Sequence, residues 1–206
     1  MVDEGYIKFR CEQTGAGVVP AGRLMEMNKW RTRLHDLGLI GMYHENHPDV
    51  SMKNVGFGNI SVRSGKGFII SGSATGDKRV LAPEDYAEVL EVDIERNFLR
   101  YTGRIRPSSE SMTHAAIYGS NLAANAVIHV HNMEFWKKML GKIPTTSRSV
   151  PYGTPEMARE LERILTRPDT KQTGIVCMGG HTEGLISFGS SLDEAGNTLL
   201  TRFSGQ

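Results

Sequence analysis

The sequence predicts an α/β protein, with a mostly antiparallel sheet that carries helices on both faces. Three observations lead there. The segments run helix, strands, helix, strand, helices, strands, helix. Neighbouring strands are joined by short turns such as Ser64-Gly-Lys-Gly67 and Glu95-Arg96, the connections of hairpins. Few strands are separated by the helical crossover that parallel pairing requires.

Taken in order, residues 1–20 read as an N-terminal extension and residues 21–206 as one domain. In the extension, Tyr6–Glu12 is strand-like, and Gly15-Ala-Gly17 and Pro20 break it. From Ala21 to Leu37 the pattern is helical, with Leu24, Met27, Leu34 and Leu37 on one face and Gly38 and Gly41 as the stop. Tyr43–Val50 is a polar loop holding His44, His47 and Pro48. Two strands follow, Asn59–Arg63 and Phe68–Ser71, then a loop of small and hydroxyl residues, Gly72-Ser-Ala-Thr-Gly-Asp-Lys78. Pro83–Tyr86 reads as a helical turn with proline first. Val89–Ile94 and Asn97–Tyr101 are strands leading to Arg104 and Arg106, which would face either a sugar phosphate or solvent at a sheet edge. Ser108 or Ser109 caps a helix running to Tyr118, with Glu110 in its first turn, where the helix dipole favours an acid. Ala126–His131 is a strand of β-branched residues. Met133–Leu140 is a helix with core-type residues, Lys142–Val150 a linker, and Thr154-Pro155 the cap and first position of a helix with Met157, Leu161, Ile164 and Leu165 inward. Gly174–Phe188 forms two strands around a glycine turn, and Leu192 to Phe203 is the last helix.

Composition narrows the function classes. The 206 residues are enough for one domain with a substantial core, and 39% hydrophobic and 23% charged residues are ordinary for a soluble protein. The net charge of +1 and dispersed Lys and Arg offer no stripe for nucleic acid. No apolar run reaches the roughly 18 residues a membrane span needs, and MVDEGYIKFRCEQ lacks the pattern of a signal peptide. Cys11 and Cys177 read as free thiols of a reducing cytoplasm.

The chemistry concentrates in Pro107–His131. Alternation along a strand puts His129 and His131 on one face, about 7 Å apart, where they are either satisfied core histidines or two ligands of one metal. His181, in Gly-Gly-His-Thr-Glu-Gly, is a third imidazole. Three neutral imidazoles with an open position describe a catalytic divalent site, with Zn²⁺ or another divalent transition metal. Glu110 would then be a fourth ligand or a mobile base. His114, four residues on, either shares that role or orients its neighbours. Asn54–Arg63 has glycines that let backbone approach a ligand and an Asn amide that can donate to an anion, or is simply a glycine-rich turn into a strand, and Gly72–Lys78 suits a backbone nest for phosphate, without the spacing of a Walker loop.

In that order, Gly58-Asn-Ile-Ser61, Pro107-Ser-Ser-Glu110, His129-Val-His131 and a late Gly-His turn resemble the class II aldolase/adducin family over roughly Leu24–Leu200. The resemblance implies a three-layer α/β/α fold and a ring-like homotetramer with sites at subunit boundaries. It implies Zn²⁺ on His129, His131 and His181, Glu110 as acid/base, and a phosphorylated sugar held by Asn59, Ser108 and Ser109, with Ser73 or Thr75-Gly76 touching its phosphate. The reaction expected is aldol cleavage through a metal-stabilised enediolate. Epimerisation or dehydration of a sugar phosphate, or a non-catalytic adducin-like interaction domain, are the alternatives. For Glu110 to move the proton, its pKa should lie nearer neutrality than usual; burial favours this and a metal opposes it.

The chain departs from the family at three places. Only KIPTTSRSV fills Lys142–Val150, where the aldolase carries a catalytic tyrosine, and Tyr152 is a poor substitute. The chain ends soon after Ser204, where the aldolase continues. The His181 turn is enlarged by Thr182 and Glu183, which would let Glu183 approach the metal.

Overall fold

The structure, a computed structural model, describes residues 6–47, 49–167, 170 and 174–205. Gly5 of the N-terminal segment and Pro48 of the polar loop lie outside these. Eight strands form the main sheet: β1 (Arg10–Gly15), β4 (Asn59–Ser64), β5 (Gly67–Ser71), β6 (Tyr86–Asp93), β7 (Phe98–Gly103), β8 (Ala126–His131), β9 (Ile175–Cys177) and β10 (Gly184–Gly189). Their order is β1-β7-β6-β5-β4-β8-β10-β9. Every pairing is antiparallel except β1 with β7. Two-residue strands β2 (Gly41–Met42) and β3 (Gly56–Phe57) pair separately beside the sheet.

Helices cover both faces, as expected. On one side α1 (Met25–Asp36), α3 (Met133–Met139) and α5 (Leu192–Ser204) bring Trp30, Leu34, Phe135 and Leu199 against Ile60, Ile69, Ile128 and Val130. On the other, α2 (Ser111–Ser120) and α4 (Pro155–Leu165) pack Met112, Ile117, Met157 and Leu161 against Phe68, Ile70, Val127 and Ile186. Strand β8 serves both cores by simple alternation. Ile128 and Val130 enter the first core and Val127 the second, so His129 and His131 share the second face with Val127.

Local signals set most boundaries. Thr154 Oγ1 accepts from Met157 N–H with Pro155 at the first helical position, and Asn132 Oδ1 accepts from Phe135 N–H. Gly38 ends α1 at φ +67°. Several details differ from the sequence reading, among them the start of β6 at Tyr86, three residues before the expected Val89. The first strand starts later, at Arg10, and includes Gly15, which sits at a register shift against β7. That strand joins the main sheet, a long-range pairing that no local pattern encodes. Leu37 is 44% exposed because α1 stops at Asp36, and Trp30 occupies the inward position instead. The start of α1 is preceded by a separate 3₁₀ turn, Ala21–Arg23.

Among the described residues no helix is long and apolar enough to cross a membrane. Cys11 and Cys177 are free thiols, as expected.

Candidate metal centre and anion cleft

The site is assembled where the end of β8, the β9–β10 turn and the start of α2 converge. β8 pairs with β4 on one side and β10 on the other, placing His129 opposite Asn59 and Ile186, and His131 opposite Gly184. The His181 turn is closed by His181 N–H to Met178 O and Gly184 N–H to His181 O, which swings its imidazole back over the strand end. His129, His131 and His181 are each buried, and their ligand atoms lie within 4.8 Å of one another, the one such cluster among the described residues.

The outer contacts of two of these rings fix their protons. His129 Nδ1 lies 3.0 Å from Leu185 O, and a carbonyl can only accept, so this nitrogen carries the proton. His131 Nδ1 lies 2.9 Å from the Tyr43 hydroxyl, whose own proton goes to Glu183 Oε2 at 2.7 Å. The His131 Nδ1 therefore donates as well. Both Nε2 atoms then present lone pairs to each other at 3.0 Å. Two lone pairs at that distance repel unless a cation lies between them. Burial, followed by the neighbouring His131 and His181, holds the His129 pKa well below its usual value, so a shared proton is disfavoured. Neutral, buried, convergent imidazoles with fixed outer protons fit a divalent transition metal.

Glu110 is 2% exposed. It is the N-cap residue of α2, one position earlier than the first-turn place expected, because the chain turns at Ser108 through Ser111 N–H and Oγ to Ser108 O. Its side chain makes no cap. Thr113 Oγ1 donates to Oε2 at 2.5 Å, and Oε1 lies 3.8 Å from His181 Nδ1. His114 points away into the core. Its Nδ1 meets Ser61 Oγ at 2.7 Å, Ser61 Oγ meets Tyr118 Oη at 2.8 Å, and burial pushes the His114 pKa down to about 3. It orients its neighbours and is outside the cluster.

Beside the cluster lies a small cleft walled by Gly56–Asn59, Ser73–Gly76, Ser108–Glu110 and His129. It brings together Asn59, Ser73, Thr75, Gly76, Ser108 and Ser109. The 73–76 loop is held from behind by Arg31, which is fully buried. Its Nη2 donates to Thr75 O at 2.5 Å and to Lys78 O at 2.6 Å, and its Nε donates to Lys78 O at 2.9 Å. Thr75 Oγ1 donates to Gly72 O, leaving its oxygen to accept. At Gly58, φ is +76° and an added Cβ would press on Ile40 and the His129 carbonyl, so glycine lets the cleft wall lie against the metal strand.

Sequence reasoning missed some participants and misplaced others. Glu183 does not approach the cluster directly but reaches His131 through Tyr43. Tyr152, set aside as a poor substitute, is 7% exposed and stacks on His181, with ring centroids 4.2 Å apart and planes at 16°. Lys8 Nζ lies 3.8 Å from the centroid of the Tyr152 ring and donates to Tyr152 O. Arg31 was given no role by the sequence reading. His44 and His47 stay in the loop, outside the cluster, and line a separate cavity of about 750 Å³ with His131, Tyr43 and Glu183. Arg104 and Arg106 are both exposed, and neither lines the cleft.

Solved structures with the same fold include three informative cases. YgbL from Klebsiella pneumoniae, described as a candidate aldolase/epimerase/decarboxylase, is 17% identical with TM-score 0.63, covering 90% of this chain and 86% of its own. L-fuculose-1-phosphate aldolase from Thermus thermophilus is 23% identical with TM-score 0.59, covering 90% and 92%. A sugar-phosphate aldolase from Thermotoga maritima is 15% identical with TM-score 0.61, covering 89% and 91%. At these identities the likeness shows the fold alone. No curated protein matches the sequence. The model of the class II aldolase and adducin N-terminal domain matches residues 42–201, which is most of the chain, and the protein belongs to that family.

Proposed function

We propose that the protein is a metal-dependent lyase of the class II aldolase type, acting on a small phosphorylated ketose or related aldol. The observation that carries the reading is the position of Glu110. It lines the anion cleft with His129, and its carboxylate stands 3.8 Å from His181. A substrate anchored by phosphate in the cleft would therefore present its carbonyl end to the acid and the imidazoles at once.

His129, His131 and His181 would hold Zn²⁺ or another divalent transition metal. When bound, such an ion supplies Lewis-acid stabilisation of the negative charge that develops on an enediolate. The chain supplies the rest. Asn59, Ser73, Thr75-Gly76, Ser108 and Ser109 hold the phosphate with amides and hydroxyls rather than side-chain cations, and that binding positions the reacting carbons. Glu110 removes or returns the proton on the carbon beside the carbonyl, with Thr113 fixing one carboxylate oxygen so that the other faces the reaction. The same frame accommodates epimerisation or dehydration. A cytoplasmic homo-oligomer, with tetramer as its expected form, is part of this reading and is checked by sedimentation.

The test is metal content with solvent-proton exchange into three-carbon ketose phosphates, followed by NMR. One equivalent of metal per chain is expected, lost in His129→Ala, His131→Ala and His181→Ala. Glu110→Gln should keep the metal and lower exchange by about 10²–10⁴-fold. If Glu110→Gln loses the metal, the residue is a ligand rather than the base. A wild type that takes up no supplied metal overturns the lyase reading in favour of a non-catalytic interaction domain.

A further inference from the structure

The enlarged turn after His181 and the polar loop after α1 are far apart in sequence, and they meet at one atom. Tyr43, at the start of the loop, and Glu183, in the turn, are 140 residues apart. The Tyr43 hydroxyl donates to Glu183 Oε2 at 2.7 Å and lies 2.9 Å from His131 Nδ1. We infer that Tyr43 and Glu183 act together as a positioning pair that sets the proton, the orientation and the metal affinity of His131. The inference rests on the metal reading above.

The argument starts from the single hydroxyl proton. Tyrosine has one, and the carboxylate takes it. The oxygen is then an acceptor toward His131, and its acceptor strength is raised by the charge beyond it, because chained hydrogen bonds polarise one another. The imidazole is thereby held with its proton on Nδ1 and its lone pair on Nε2, which faces His129 Nε2. A plain carbonyl does the same for His129, so the two ligands differ: one is backed by a neutral acceptor, the other by a carboxylate at one remove. The ring plane is fixed too. Phe57 stacks on His131 with centroids 5.5 Å apart at 22°, and Tyr43 packs on Phe57 at 4.5 Å.

The backbone is bent to make this contact. Glu183 sits at φ +71°, a left-handed conformation that a non-glycine residue adopts only at a cost. Its carbonyl is tied back to β8 by Asn132 N–H at 3.0 Å. A glycine or asparagine would suit that backbone better; what glutamate adds is a carboxylate that reaches Tyr43. The pair lines the 750 Å³ cavity alongside His131, so the contact is made at the border of that cavity.

The test measures Zn²⁺ and Co²⁺ affinity by competition with a chromophoric chelator, the Co²⁺ visible spectrum, and the His131 tautomer by long-range ¹H–¹⁵N NMR of the metal-free protein. Tyr43→Phe keeps the ring packing and removes the acceptor. It should weaken affinity about 10–100-fold, the usual effect of losing an outer hydrogen bond on a ligating histidine, and mix the His131 tautomers. Glu183→Gln keeps an acceptor for the hydroxyl but loses the charge, and should fall between wild type and Tyr43→Phe. The double variant should bind no more weakly than Tyr43→Phe, because Glu183 acts only through Tyr43. The melting temperature of the metal-free variants serves as the control for folding. If Tyr43→Phe binds metal within twofold of wild type, or if the two losses add, the inference is overturned while the metal reading stands. If wild type binds no metal, both are overturned.

Discussion

Gly76→Ala tests whether the cleft loop is seated as described. Gly76 packs backbone to backbone against β2 and β3. A Cβ built on it would lie 2.6 Å from the Gly56 Cα and closer still to the Gly41 carbonyl oxygen. Neither obstacle is a flexible side chain. Since real Cβ contacts essentially never fall under 3.0 Å, the loop must move by about half an ångström at Gly56 and by more at Gly41. Overpacking of this kind costs about 1–3 kcal/mol. The displaced atoms are the cleft wall itself, so anion binding should weaken along with stability. Gly119 provides the contrast. It lies in α2 with nothing within 4 Å of an added Cβ, so Gly119→Ala gains helix propensity at no steric cost and should stabilise by about 0.5–1 kcal/mol. Urea unfolding of both variants, with phosphate titration of the native proteins, measures the pair. A Gly76→Ala variant as stable as wild type, with phosphate affinity unchanged, would refute the seating of this loop and with it the cleft geometry.

Three further outcomes follow from the same structure. His114 titrates at about 3 in the fold and near 6.5 when unfolded, so its stabilisation is complete above pH 6.5 and is lost as pH falls toward 3. Metal-free wild type should therefore lose up to about 1.4 kcal/mol more per pH unit between pH 6 and 4 than His114→Gln, and parallel pH profiles would contradict this. Cys177 is fully buried, with its thiol pushed up to about 12 by burial, whereas Cys11 is partly exposed; a chromogenic disulfide reagent should label one thiol in the native protein and two in denaturant. Chelation followed by return of zinc at about 100 times its dissociation constant should add about 2.7 kcal/mol to wild-type stability and nothing to His129→Ala, read as melting temperature.

What the sequence disclosed and what it concealed divide along physical lines. The His129/His131 pairing, the Thr154-Pro155 helix start and the hairpin at Ser64–Gly67 are consequences of local periodicity and local hydrogen bonds, and they were legible. The grouping of Asn59, Ser73, Thr75, Gly76, Ser108 and Ser109 came from the family resemblance, and the structure brings these residues to one cleft. Arg31 and Tyr43 were not legible, nor were the contacts of Glu183 and Tyr152, since each acts on a partner at least 29 residues away. A buried arginine looks like a surface one until the carbonyls that it caps are seen. The signals available were slight: an arginine on the apolar side of a helix, and an acid placed where a turn prefers glycine. The parallel pairing of β1 with β7 was hidden for the same reason, because a strand's own residues do not name its neighbour.

That pairing also bears on how the molecule behaves in crowded solution. A sheet of eight strands has two rims, and each unpaired rim is a template for another chain. Here β9 is only three residues long, and Pro144 and Thr146 hydrogen-bond to both sides of Cys177, closing that rim with a loop. At the opposite rim β1 covers Phe98–Gly103 of β7 and exposes Arg10 and Glu12, while Gln13 donates back to the Gly103 carbonyl. The first strand is thus a guard rail as much as a structural member. Its charged residues oppose edge-to-edge joining of two main sheets and leave assembly through other faces of the molecule untouched.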